Sequence, residues 1–239
     1  ELAGLALGCG GGGGGAGGWL ACASADGTLR AATTVPSPAG DYREGPVGTW
    51  RLAAGERLTC ASPLGPGHAL VGSGGGHVWR VDLSRPGEGG AESMLGPCGC
   101  GVAAVCGAPA CSPAASSHLV FATYEHRWVG MGHPQALVVW QASDARAPPG
   151  EAAAHARRAV ITHGPRGRRV QCTARAIATD GWKVACAAGG TVSATDCRMW
   201  RTLFEVDLPR PEGGVEAVAL AGDAVAAVSH AGEVNWLQL

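Results

Sequence analysis

The chain has 239 residues, enough for one or two domains, and 40 glycines with 15 prolines make up nearly a quarter of it, a usage that disfavours helix-rich folds. Lys and Arg number 18 against 19 acidic residues, giving a formal charge of −1, and charged residues are only 15% of the chain. Nucleic-acid binding by bulk charge is therefore not expected. The longest apolar stretch, Val215 to Val228, is broken by Glu216 and Asp223 and falls short of the roughly 18 residues of a membrane helix. The apolar start, Glu1 to Leu7, meets Gly8 and Gly10 to Gly15 too soon for a signal peptide and reads as a cut rather than a biological start. Ten cysteines are too few for a disulfide scaffold, so a reducing compartment, cytoplasmic or nuclear, is expected.

Five segments share one plan: a short Ala/Val-rich strand, a loop, a second strand of small apolar residues, a tight Gly turn and a third, alternating strand. The first runs from LAGLAL through the poly-Gly loop to WLACASADGTLRAAT; the second joins LTCASPLG to HALVGSGGGHVWRVD. The third begins at GVAAVCG and ends in ALVVWQ. The fourth is ARAIATDGWKVACAAGGTVSATD and the fifth VEAVALAGDAVAAVSHAGEVNWLQ. Their third strands end at Thr33, Asp82, Gln141, Asp196 and Gln238, which are 49, 59, 55 and 42 residues apart, near the period of a four-stranded propeller blade. Short extended pieces at Val47–Leu52, Glu92–Leu95, Ala159–His163 and Thr202–Val206 supply fourth strands. The turns Asp26-Gly27, Gly74 to Gly76, Gly189-Gly190 and Ala231-Gly232 call for positive φ. The small, uncharged strand residues predict sheets packed face to face. The expected architecture is all-β: a single domain over 1–239, with blades near 1–52, 57–95, 101–163, 174–206 and 214–239 and a ring that lacks one outer strand in the last blade.

CASADGTLRAAT (Cys22 to Thr33), HVWRVD (His77 to Asp82) and ALVVWQ (Ala136 to Gln141) are similar to the signature of the WD-repeat β-propellers, in which an Asp-Gly turn leads into a third strand ending in Trp-Asp. Trp140 stands at the Trp position, Asp82 and Asp196 at the final Asp, and Gly67-His68 falls inside a blade rather than before one. The hydrogen-bonded tetrad of that family is thus expected to be mostly absent, leaving blade stability to packing. The stretch Asp180 to Val206 looks most like a blade of the F-box/WD-repeat proteins, which implies substrate recognition for a cullin-type ubiquitin ligase, with an F-box adaptor bound through a region that these residues do not contain. The alternative is a rigid scaffold subunit of a large multiprotein or ribonucleoprotein assembly.

The third repeat replaces the short turn by a hairpin insertion from Tyr124 to Gln135. It carries Tyr124, Glu125, His126, Arg127, Trp128 and His133, and Tyr, Trp and Arg are the types that dominate interface hot spots. Either Trp128 folds back over its own blade, or the insertion reads a peptide or loop of a protein partner together with Asp26, His230 and Glu233 in the corresponding turns. Arg157, Arg158, Arg166, Arg168 and Arg169 form the densest basic cluster, which is a solvated loop or an anion contact. Cys98, Cys100, Cys106 and Cys111 lack paired knuckle spacing, and Cys106 lies in an apolar strand, so no metal is expected. The Gly10 to Gly15 run has no following Lys-Ser/Thr, no G-x-S-x-G elbow exists and no HExxH occurs, so neither a cofactor nor catalysis is expected. Cys22 and Cys186 fall at matching packing positions, Trp19 and Trp182 read as equivalent covers before second strands, and Trp79 and Asn235 share a slot with Arg30 and Ser193.

Overall fold

In a computed structural model the described residues are 2–9, 18–36, 42–52, 55–64, 67–95, 101–109, 118–124, 136–142, 156–162, 174–197, 199, 201–208 and 214–238, and among them the chain forms nineteen strands. The first sheet is β1 (Leu2–Cys9), β2 (Gly18–Ser24), β3 (Thr28–Pro36) and β4 (Tyr42–Arg51), in that order. The second is β5 (Leu58–Pro63), β6 (His68–Ser73), β7 (Val78–Asp82) and β8 (Ala91–Leu95). The third contains β9 (Val102–Pro109), β10 (His118–Tyr124), β11 (Ala136–Ala142) and β12 (Ala156–Thr162), again in sequence order. The fourth is β13 (Ala174–Thr179), β14 (Lys183–Ala188), β15 (Thr191–Asp196) and β16 (Arg201–Asp207). The last has three strands, β17 (Val215–Ala221), β18 (Ala224–Ser229) and β19 (Val234–Gln238). Every fourth strand expected from the sequence is present. No helix among the described residues is long and apolar enough to cross a membrane.

The repeat is written into the backbone. In the first, second, fourth and fifth sheets the inner strand carries the same irregularity near its start, at Leu2/Gly4, Leu58/Cys60, Ala174/Ala176 and Val215/Ala217. A bulge there re-aims the residues that follow it, so the two faces of each sheet are set at the same point in every repeat. The second strand closes in three sheets on a Ser-x-x-Gly turn: Gly27 N donates to Ser24 O, Gly76 N to Ser73 O and Gly232 N to Ser229 O. These glycines have φ of 83°, 92° and 82°, a left-handed geometry that a side chain would strain.

The residues fall into two compact units that divide between Val105 and Cys106. In the first unit one core joins the first two sheets: Ala6, Ala21, Ala23, Leu29, Ala31 and Trp50 meet Leu58, Ala69, Val71, Trp79 and Val81. The approach is close enough that a Cβ on Gly4 would lie 2.7 Å from Ala61 N and 2.9 Å from Cys60 Cα. Trp50 anchors the outer strand, its indole Nε1 donating to Arg85 O at 2.9 Å. In the second unit Ala176, Ala185, Ala187 and Val192 pack on Val215, Val225 and Ala227 of the last sheet.

Two expectations need correction. Trp19 and Trp182 are not equivalent: register places Cys22 opposite Arg30 and Cys186 opposite Ser193, which aligns Trp19 with Lys183 and leaves Trp182 one residue earlier. A shift of one residue reverses the face, so Trp19 is 4% exposed in the core while Trp182, in the turn before β14, is 45% exposed. Burial on both faces of every sheet also fails, because β17 and β19 each present one face to solvent.

Candidate functional site

The polar groups of the described residues gather at the strand ends. The densest group sits where the second sheet's inner strand begins and its β6–β7 turn closes. There Ser73, fully buried, donates its hydroxyl to Glu56 Oε2 at 2.8 Å and accepts from His77 N at 3.2 Å. His77 Nδ1 lies 3.8 Å from the same carboxylate, and its ring meets Trp79 edge-on, 5.0 Å between centroids. Gly75 leaves room for Glu56, whose carboxylate oxygens would stand 2.6 and 2.7 Å from any Cβ there. Ser, His and an acid here do not make a nucleophile. In a catalytic triad the imidazole stands between hydroxyl and acid and takes the proton, whereas Ser73 gives its hydrogen straight to Glu56. The network locks a turn to the strand that crosses it, and the sequence reading missed Glu56 and His77 in that role. The available signal was the Ser-x-x-Gly turn shared by Ser24, Ser73 and Ser229.

The other turns use simpler locks. Asp26, exposed, accepts from Thr28 N at 3.0 Å, and its carboxyl is held below the usual range by the Thr28 side-chain and backbone hydrogen bonds, then Ser24. In the β18–β19 turn, His230 Nδ1 and Glu216 Oε1 stand 2.6 Å apart, while Glu233 N donates to Ser229 Oγ at 3.2 Å. Glu216 lies on the inner strand β17, and its partner is a surface histidine. Asp26 and His230 are therefore both exposed turn residues already engaged, Asp26 within its own turn and His230 with β17. Glu125, His126, Arg127, Trp128 and His133 lie outside the described residues, as do Arg166, Arg168 and Arg169. Tyr124 closes β10 and Arg157 and Arg158 lie in β12, by backbone placement alone.

At the opposite strand ends of the second unit, Lys183 Nζ donates to Gly222 O at 2.5 Å and to Asp223 Oδ1 at 2.9 Å, tying the turn before β14 to the turn between β17 and β18. Asp180 Oδ1 accepts from Trp182 N and Lys183 N. The hydrogen bond and charge of Lys183 hold the Asp223 carboxyl below its ordinary range.

The cysteines pack. Burial pushes the Cys186 thiol up to about 11, against a smaller lowering by its contact with Ser193, and burial pushes the thiol of Cys106 well up too. Such thiols stay protonated and are poor metal ligands. Among the described residues no group of three or more His, Cys, Asp or Glu is placed to hold a metal ion. Cys98, Cys100 and Cys111 lie outside the described residues. The slot shared by Arg30, Trp79, Ser193 and Asn235 is confirmed by register, opposite Cys22, Val71, Cys186 and Ala227.

No family model matches the sequence, and no curated protein matches it either. Solved structures do. The chain is similar to the WD40 repeats of RRP9, with 14% identity and a TM-score of 0.62, covering all of this chain and 62% of that one. It is similar to U3-55K at 13% identity and a TM-score of 0.61, with the same coverage. The fold is that of the WD-repeat β-propellers, and this chain spans 62% of the length of these two structures.

Proposed function

We propose that the chain is a non-catalytic interaction module, a rigid WD-repeat scaffold in a multiprotein or ribonucleoprotein assembly. The supporting observation is how the polar groups are used: Ser73, Glu56, His77, Asp26, Lys183 and Asp223 are engaged in holding turns and neighbouring sheets, and the sheet faces consist of small apolar residues. A fold made this way offers a stiff frame on which exposed turns meet partners. The similarity to the WD40 structures of RRP9 and U3-55K supports this reading over substrate recognition for a cullin-type ligase, which has only the resemblance of Asp180 to Val206 behind it.

The partner contact proposed is the Tyr124 to Gln135 insertion, with Trp128 and Arg127 as anchors and the turns holding Asp26 and His230 as accessory surface. The arginine cluster from Arg157 to Arg169 is the proposed contact for an acidic or phosphate-bearing neighbour. The test is affinity purification of the natural gene product with mass spectrometry, wild type against a variant in which Tyr124 to Gln135 is replaced by Asn-Gly. A constant set of assembly subunits, with one partner lost in the variant, is the expected result. Recovery of an F-box adaptor and cullin would overturn the scaffold reading, and an unchanged partner list would remove the insertion as the site.

A further inference from the structure

We draw no further inference here: the strongest candidate, the exposed surface patch of Trp182 in the turn before β14 and Met199 in the turn between β15 and β16 of the fourth sheet, carries nothing, because the neighbouring Lys183 is already paired with Asp223 and nothing in the structure shows what covers the patch.

Discussion

Single residues in this protein gain their meaning from which face of a strand they occupy. Ser73 is fully buried and hydrogen-bonded on both sides, so Ser73→Ala strands the Glu56 carboxylate and the His77 amide. The expected loss is about 1–3 kcal/mol, read from the shift of the urea midpoint at unchanged slope. Asp82 gives a pH signature. Partial burial alone would raise its carboxyl, but hydrogen bonds from Ser84 and the nearby His68 and Arg85 bring it below the ordinary range. A lowered folded pKa stabilises above the unfolded value, near 3.9, and that stability is lost as pH falls through the folded value. Asp82→Asn is therefore expected to lower the melting temperature at pH 7, with the gap to wild type closing below about pH 4. The buried thiols of Cys106 and Cys186 are expected to resist iodoacetamide at pH 8 in the folded chain and to react only in denaturant, checked by mass spectrometry of labelled peptides.

At the scale of strands and turns, the inner strands approach one another without room for side chains. Gly4→Val places a branched side chain against the backbone of Cys60 and Ala61, and a loss of about 1–3 kcal/mol or more is expected, measured by thermal unfolding. Strand positions were legible in the sequence because turn chemistry marks them: Asp26-Gly27, Gly74 to Gly76 and Ala231-Gly232 have the positive-φ glycines that tight hairpins demand. What was not legible is whatever depends on two strands meeting. Glu56 lies 17 residues before Ser73, with no periodicity to connect them. Trp19 and Trp182 both precede or open a second strand, yet a single residue of offset places one in the core and the other in solvent. The candidate partner site was read from composition alone, in an insertion that lacks the regular period, and its residues Glu125 to His133 lie outside the described ones.

For the molecule as a whole, the sequence period identified the architecture, because five repeats built of small residues have few ways to bury their faces except against one another. Similarity to WD40 structures at 13–14% identity fits a fold held by backbone geometry and residue size more than by particular side chains. The central claim is that this fold serves as a scaffold within an assembly. It is tested most directly by gradient sedimentation of the natural gene product from cell extract in high salt, where surface ion pairs are screened. Constant co-sedimentation with a much larger particle is the result this account expects; migration as a free chain, with partners lost as salt rises, would contradict it.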